Sequence, residues 1–188
     1  MLNELSIIGH FYPENTMLRK MLVRHSMQVR LKALEIAEMP ENKSLNIDLD
    51  VVSAGALLHD IGIKECDAPS ILCNGSNHYL CHGIIGAEML RDYGKEFNID
   101  LEKYARICER HTGSGLTAKE IEQQGLPLPH KDFLPETVEE KLVCFADSFF
   151  SKSGRMEEKS VDKIRKSMMK FGIDTLERFD AMCELFHV

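Results

Sequence analysis

The chain has 188 residues, and 44% of them are hydrophobic. This length is enough to bury one sizeable core and predicts a single domain. The formal net charge of −7, from 23 basic and 30 acidic residues, leaves no basic surface on which nucleic acid would bind. The N-terminus lacks the features of a signal peptide, and no later stretch is long and apolar enough to span a membrane. We therefore expect a cytoplasmic protein with neither a nucleic-acid nor a membrane partner.

The six cysteines are scattered along the chain and form no CxxC pair of the kind that nucleates a zinc ribbon. Buried cysteines behave as small apolar residues, and cytoplasmic thiols stay reduced. We expect six free thiols, most of them in the core.

Helical periodicity dominates the first third of the chain. Over residues 16–37, apolar side chains recur every three or four positions, and His25 lies on this apolar face. A second amphipathic helix should stop near Gly62, since a left-handed C-terminal position suits glycine. His59 and Asp60 would then lie in the last turn of that helix.

A segment rich in small polar residues and proline, 64–77, predicts a functional loop, because loops of this length are uncommon in a compact domain. A third helix is expected over residues 78–93, closed by Gly94, with His82 on its apolar side. Asp100 is expected to cap a fourth helix, whose apolar stripe ends at His111.

The second half of the chain also predicts helices. A helix is expected from Thr117 to Gly125, followed by a connector, 126–135, that three prolines keep from being helical. Thr137 with Glu140 makes a capping box for a helix that carries Asp147, and two helices, 160–171 and 174–186, close the chain. The last of these should begin with a box between Asp174 and Glu177. No stretch alternates with a period of two for long enough to predict a sheet.

Three inward-facing histidines on different helices, with an inward-facing aspartate on another, are unusual occupants of an apolar core. For one such histidine alone, a core residue with an ordinary hydrogen bond is the simpler interpretation. The whole set favours a metal site, because neutral imidazoles and ionised carboxylates are ligands for divalent metals.

These residues resemble the H…HD…D signature of the HD superfamily in its HDIG form: His25, then His59-Asp60-Ile61-Gly62, then Asp147. Two more histidines, His82 and His111, resemble the pair that completes the ligand set in HD members with two metal ions. His82 begins the stretch that runs to Leu90. The resemblance covers residues 18–150. It implies an all-α, single-domain HD-type helical bundle with a metal site in its core. We expect residues 1–150 to form the HD domain and residues 151–188 a C-terminal helical extension packed on the same domain.

By this resemblance, two divalent transition-metal ions would be bound per chain. His25 and Asp147 would bind one ion and His82 and His111 the other, with His59 in the first site and Asp60 as the bridge. Four imidazoles with two carboxylates favour iron, manganese, zinc or nickel over magnesium, which prefers oxygen ligands. A water between two such ions is a nucleophile for phosphorus.

Charged residues near the signature offer further candidates. Lys64, together with His59 and Asp60, is a candidate catalytic residue that would neutralise a substrate phosphate, although a solvated loop lysine is an equal alternative. Arg91 and Arg110 are more simply interpreted as solvated side chains. His78 precedes His82 by four residues, but the family pattern has no use for it. Surface or packing positions are expected for the remaining histidines, which are His10, His130 and His187.

The resemblance implies a metal-dependent phosphohydrolase that acts on a small phosphorylated metabolite or nucleotide through a metal-activated water. Two alternatives stay open: a mixed-valent di-iron oxygenase with the same ligands, and a non-catalytic regulatory HD module. No GYP-type segment follows the HDIG helix, which disfavours cyclic-dinucleotide turnover, whereas cleavage of symmetrical dinucleoside polyphosphates stays open. The C-terminal helices would pack on the core or on a second subunit, so a homodimer stays open too.

Overall fold

The computed structural model describes residues 3–154 and 156–188, and this part of the chain is predominantly α-helical. The α-helices are α1 (Glu4–Phe11), α2 (Met17–Glu38), α3 (Leu49–Leu58), α4 (His82–Phe97), α5 (Glu102–Arg110), α6 (Ala118–Gln124), α7 (Val138–Ser148), α8 (Val161–Met168) and α9 (Ile173–Leu185). Short 3-10 segments lie at Pro40–Leu45, Ile63–Glu65, Pro69–Ile71, Tyr79–Cys81 and Met169–Phe171. The predicted all-α fold class is confirmed.

Side-chain caps set the starts of several helices as the sequence predicts. Thr117 and Glu120 form a reciprocal capping box at the start of α6, and Thr137 with Glu140 forms a second box at α7. At α5 the predicted cap was one residue too early, because the N-cap is Leu101 and it has no side-chain cap bond, although Asp100 accepts a hydrogen bond of 3.0 Å from the backbone N–H of Glu102. Each cap satisfies backbone donors that the first turn leaves without intrahelical partners.

The predicted bounds of the third helix were wrong. α4 begins at His82, after the 3-10 turn Tyr79–Cys81, and it continues through Gly94 to Phe97. Its left-handed C-cap is Asn98, with φ 52°. Gly94 lies inside the helix, and a glycine is needed there because a Cβ would come 2.6 Å from the carbonyl oxygen of Ile99.

The prediction for Gly62 was also wrong. Its φ is −83°, so it does not adopt a left-handed conformation, and α3 has already ended at Leu58. A Cβ at Gly62 would instead overlap the backbone of α4 at His82 and Gly86. Glycine is needed here because two backbones approach closely, which brings the His59-Asp60 turn against α4.

Three smaller differences concern local elements. The helix α1 was not predicted from the sequence, although Asn3 caps it by accepting a hydrogen bond from the N–H of Ser6. The box predicted at Asp174 is absent, because α9 begins one residue earlier with Gly172 at its N-cap and no side-chain cap. The 64–77 loop contains an antiparallel hairpin of β1 (Asp67–Ala68) and β2 (Cys73–Asn74), whose two-residue strands are too short to show alternation.

Most of the buried apolar side chains form two large clusters, one of which includes Ile61 of the turn His59-Asp60-Ile61-Gly62, called the HDIG turn below. One cluster includes Leu22, Leu58 and residues of α1, α4 and α5. The other includes Val29, Val143 and residues of the C-terminal helices. His25 lies on α2 between Leu22 and Val29, one turn from each, so its imidazole faces the junction of the two clusters.

The C-terminal helices belong to the same core. The ring of Phe145 on α7 lies 5.3 Å from that of Phe179 and 5.6 Å from that of Phe186, measured between centroids. Ile164 of α8 is buried in the same cluster. Residues after α7 therefore complete the hydrophobic core around this helix.

The six cysteines are all free, and four of them are buried: Cys66, Cys73, Cys108 and Cys144. This confirms the expectation that most of the thiols are buried. Among the described residues, no helix has the length and apolar character needed to cross a membrane.

Candidate metal centre

Six side chains from five parts of the chain converge where the two apolar clusters meet. All are buried except Asp147, whose side chain is 17% exposed. They are His25 from α2, His59 and Asp60 from the turn after α3, His82 at the start of α4, His111 at the end of α5 and Asp147 near the end of α7. The structure thus brings together every metal ligand that the sequence predicts.

Backbone carbonyls orient three of the four imidazoles. Nδ1 of His59 lies 2.7 Å from the carbonyl oxygen of Ala56, and Nδ1 of His111 lies 2.8 Å from that of Cys108. His82 makes the same contact with Tyr79 at 2.6 Å. A carbonyl can only accept, so each Nδ1 carries the proton and each Nε2 is the nitrogen that faces the cluster.

The carboxylate of Asp60 lies at the centre of the cluster, and its two oxygens face different histidines. Oδ2 lies 3.3 Å from Nε2 of His25 and 3.2 Å from Nε2 of His59. Oδ1 lies 3.4 Å from Nε2 of both His82 and His111. This division places Asp60 where one carboxylate could hold two cations, one on each oxygen.

The opposing nitrogens of His82 and His111 are 3.0 Å apart. Burial, and after it the neighbouring His111, lower the pKa of His82 to about 3, so this imidazole is neutral at ordinary pH. Because both rings donate through Nδ1, their two Nε2 atoms face each other, and a cation between them would be bound by both.

The second group of ligands contains His25, His59 and Asp147. Oδ1 of Asp147 lies 2.9 Å from Nε2 of His25 and 3.5 Å from Nε2 of His59. Ligand atoms of these three residues lie within 4.8 Å of one another, as do those of His59, Asp60 and His111. Both groups have the spacing and the nitrogen and oxygen donors of a divalent transition-metal site.

Several buried polar atoms in the cluster have no hydrogen-bond partner of acceptable geometry, which is rare in a folded protein. They include Nε2 of His59 and both carboxylate oxygens of Asp60. These atoms are within ion-pair distance of neighbours but are poorly aligned for hydrogen bonding. The donor set and its unsatisfied atoms therefore fit a metal centre.

Electrostatics in the cluster favour positive charge. Burial disfavours the charged form of His59, but the carboxylates of Asp60 and Asp147 outweigh it and raise the pKa of His59 to about 10. Burial opposes ionisation of both aspartates as well, yet His59 and Lys152 hold the pKa of Asp60 well below its usual range. The field that retains a proton on His59 also favours a metal cation in its place.

Lys152 is a member of the site that the sequence analysis missed. Its side chain is 12% exposed, and Nζ lies 2.8 Å from Oδ2 of Asp60. Burial disfavours the ammonium, but the carboxylates of Asp60 and Asp147 raise the pKa of Lys152 well above its usual range. Nζ also lies over the ring of Tyr79 at 6.0 Å. The sequence offered one signal for this residue. Lys152 follows the predicted ligand Asp147 by five residues, just past the end of α7.

Lys64, the lysine predicted from the sequence, does not join this cluster. Its Nζ donates a 3.0 Å hydrogen bond to the carbonyl oxygen of Phe11 and lies 3.4 Å from a carboxylate oxygen of Glu65. The 3-10 turn after Gly62 directs this side chain toward α1, away from the ligands. The positive charge beside Asp60 comes instead from Lys152.

The other candidate side chains also lie outside the cluster. Arg91 pairs with Glu102 and Glu109, and Arg110 pairs with Glu136. His78 is exposed, and its Nδ1 accepts a hydrogen bond from the N–H of Leu80. The remaining histidines are exposed as expected, and they are His10, His130 and His187.

The sequence is similar to several curated proteins. It is 38% identical over 166 residues to an uncharacterized protein of Methanocaldococcus jannaschii, covering 88% of this chain and 82% of that protein. It is also 39% identical over 131 residues to a tRNA (cytidine(56)-2'-O)-methyltransferase of Picrophilus torridus. The Thermoplasma volcanium protein of that name is 34% identical over 158 residues. The matches span 70% and 84% of this chain but only 32% and 39% of the two methyltransferases.

Solved structures resemble the fold along its whole length. The HD domain of the L. monocytogenes phosphodiesterase PgpH superposes with a TM-score of 0.50 at 17% identity, covering 100% of this chain and 97% of that one. The same domain in complex with cyclic-di-AMP also gives a TM-score of 0.50, at 18% identity. At this identity the likeness concerns the fold. The sequence model of the HD domain matches residues 22–151, a span that contains all six clustered ligands, and the chain therefore belongs to the HD domain family.

Proposed function

We propose that this protein is a metal-dependent phosphohydrolase that acts on a small phosphorylated metabolite or nucleotide. The observation that carries the proposal is the geometry of Asp60, whose two oxygens each face a different pair of histidines. Together with Asp147, these residues would hold two divalent transition-metal ions. Such ions, when bound, would polarise a phosphoryl oxygen and supply a water of lowered pKa as the nucleophile.

The protein supplies rigid positioning of these donors. Three Nδ1–H groups are tied to the backbone carbonyl three residues earlier in the chain, so the imidazoles keep their orientation without help from a substrate. His59 and Asp60 can point to one centre although they are adjacent in sequence, because they follow the end of α3, where the backbone leaves the helix. Asp147 lies on the more exposed side of the cluster, which is the side from which a substrate would enter.

We assign Lys152 the role first considered for Lys64. Its ammonium lies beside Asp60 and is attached to the segment after α7, outside the helices that hold the metal ligands. In this position it would hold a phosphoryl oxygen of the substrate and offset the negative charge that develops as the phosphate ester is cleaved. A lysine fits this task because its charge sits on a flexible stem that can follow the phosphate.

The relatives and neighbours bear on the substrate class. One neighbour of similar fold is named a phosphodiesterase and was solved with cyclic-di-AMP, which supports phosphate-ester chemistry as the class of reaction. The methyltransferases that match are about three times as long as the matched region, and their activity belongs to the whole protein. A net charge of −7 offers little attraction for tRNA. We therefore propose a small-molecule substrate.

The test combines metal analysis with an activity screen. Protein purified without chelators is analysed for metal content and assayed for phosphate release from nucleotides and dinucleoside polyphosphates with added iron, manganese or nickel. We expect two ions per chain and metal-dependent release. Asp60→Asn should lose metal and at least about 100-fold in turnover, while its circular dichroism stays that of the wild type. Asp92→Asn, an exposed aspartate on α4, is the matched control.

Three results would contradict the proposal. Wild-type turnover by Asp60→Asn with a full metal content would remove the bridging role. A protein that binds no metal and shows no metal-stimulated turnover would favour a regulatory HD module. Bound iron with oxygen consumption but no phosphate release would favour the di-iron oxygenase.

A further inference from the structure

The longest helix, α2, has one face that no other part of the described chain covers. Its 22 residues make the helix about 33 Å long. Seven of them are exposed and recur every three or four positions, so they form one stripe along the helix, called the α2 stripe below. These residues are Met17, Lys20, Arg24, Met27, Leu31, Glu35 and Glu38. His25 lies on the buried face of the same helix, so the stripe points away from the metal centre.

The centre of the α2 stripe is apolar. Met27 and Leu31 lie one turn apart, and their side chains are 36% and 62% exposed. Leu34, which is half-buried, continues the apolar region on the next turn. Large apolar side chains that are neighbours on an exposed helix face are suited to contact with another apolar surface.

Charges of opposite sign occupy the two ends of the α2 stripe. Lys20 and Arg24 lie before the apolar centre, and Glu35 and Glu38 lie after it. Within the described part of the chain, Lys20, Arg24 and Glu38 form no ion pair. Glu35 makes a contact of 3.4 Å with Lys32 of its own helix. The charges of the stripe are therefore largely available to a partner outside the chain.

This order of charges is unfavourable within the helix itself. Like charges one turn apart repel each other, as do Lys20 with Arg24 and Glu35 with Glu38. The helix dipole favours acidic residues in the first turn and basic residues in the last turn. α2 has the reverse order, with Lys20 in its first turn and both glutamates in its last turn. The stability of the isolated helix does not explain the pattern, whereas a partner with complementary charges would.

We infer that the α2 stripe binds a second copy of this chain, with the two α2 helices antiparallel about a two-fold axis. The axis passes beside the midpoint between Met27 and Leu31, so Met27 packs against the partner's Leu31 and the symmetry repeats this contact. Intervals of three and four residues are those at which antiparallel helices interdigitate. The inference does not depend on the proposed function.

The same axis brings the opposite charges together. Lys20 and Glu38 are equally far from the midpoint of the apolar centre, so each Lys20 faces the partner's Glu38. Arg24 likewise lies beside the partner's Glu35. A parallel pair of helices would instead place like charges opposite each other, which is unfavourable. The charge pattern therefore selects both the partner and its direction.

The expected dimer is weak, because one pair of helices buries less surface than the roughly 1,200 Å² of a stable interface. We expect a dissociation constant of about 1–100 µM. Sedimentation equilibrium from about 5 µM to about 500 µM should show conversion of monomer to dimer. High salt should weaken the association, because exposed ion pairs are screened.

Charge reversal is the main test. A variant with Lys20→Glu and Arg24→Glu carries only acidic charges on the stripe, and a variant with Glu35→Lys and Glu38→Lys carries only basic charges. Each should self-associate at least about tenfold more weakly than the wild type. An equimolar mixture of the two should form a heterodimer, and the chain with all four substitutions should dimerise again. The new charges follow the helix dipole, so circular dichroism should stay that of the wild type.

A second test removes the apolar contact. Leu31→Glu places a charge at the centre of the interface and should abolish the dimer up to about 500 µM. Ile173→Glu makes the same kind of change at a position on α9 that is 53% exposed, and it should leave the dimer intact. All variants should keep the metal content of the wild type, because the stripe is remote from the ligands.

Four results would overturn the inference. They are a wild-type protein that stays monomeric up to about 500 µM, a dimer of unchanged affinity in Leu31→Glu, and double variants that do not rescue each other. The fourth is loss of the dimer in Ile173→Glu but not in Leu31→Glu, which would place the interface on the C-terminal helices.

Discussion

At the scale of single residues, the position of Lys152 explains how the carboxylates of the cluster are balanced. Asp60 is fully buried, and Lys152 supplies a positive charge 2.8 Å from its Oδ2. A buried carboxylate needs such a partner, because the cost of removing its charge from water is large. A metal ion at Asp60 would take over this pairing and leave the ammonium available to a phosphate.

The corresponding prediction compares two lysines. Lys152→Met should raise KM for a phosphate ester by about 10-fold to 100-fold, because a charged hydrogen-bond donor to the substrate is lost. It should also tighten metal binding, because no ammonium then competes at Asp60. Lys64→Met should change neither quantity, since Lys64 is tied to the carbonyl oxygen of Phe11. Enzyme kinetics and metal titration of both variants check this, and equal effects of the two substitutions would contradict the assignment.

At the scale of elements, the close approach of the HDIG turn to α4 sets the distance between the two ligand groups. Gly62 follows the His59-Asp60 pair, and its missing side chain lets the turn contact the backbone at His82 and Gly86. The HDIG pattern made Gly62 visible in the sequence. The physical reason for a glycine at this position was not visible in the sequence, because the backbone that it contacts is distant in the chain.

Gly62→Ala tests this packing. The added methyl group would overlap the backbone of α4, which cannot move aside as the end of a flexible side chain can. We expect a loss of about 1–3 kcal/mol in the free energy of unfolding and a lower metal content, because His82 shifts with α4. Gly9→Ala in α1 is the control, since the atom nearest to its Cβ is the end of the Arg19 side chain at 3.7 Å. Chemical denaturation and elemental analysis decide, and a Gly62→Ala variant as stable as Gly9→Ala would contradict the account.

At the scale of the whole molecule, the C-terminal extension is tied to α6 by an ion pair. Arg178 of α9 donates to Glu120 of α6 at 2.7 Å and 3.0 Å. Glu120 is 8% exposed and also accepts hydrogen bonds from Thr117. This pair, together with the shared core around Phe145, predicts that residues on both sides of position 151 unfold as one cooperative unit.

The strength of this connection should depend on pH. Burial raises the pKa of Glu120, but the hydrogen bonds from Arg178 and Thr117 outweigh it and lower the pKa below the ordinary value of 4.5. The ionised form therefore stabilises the folded state above about pH 4.5, and this contribution is lost as the pH falls further. Glu120→Gln should cost about 1–3 kcal/mol at pH 7.

The difference between Glu120→Gln and the wild type should shrink as the pH falls from 7 toward 3.5. Urea unfolding across this range measures it, with the exposed Glu122→Gln on the same helix as the control. A difference that does not change with pH would remove the ionised pair from the explanation.

The sequence by itself determined the fold class, most helices and which six side chains, the candidate ligands, would cluster. Periodicity of 3.6 and local caps act within one element, so they can be read without the partners of that element. His25, His111 and Asp147 were recognised because polar groups on apolar faces need partners. Tertiary structure alone decided that Asp60 divides its oxygens between two pairs of histidines and that Lys152 and not Lys64 reaches the site. These features depend on distances between side chains far apart in sequence, which local patterns do not encode.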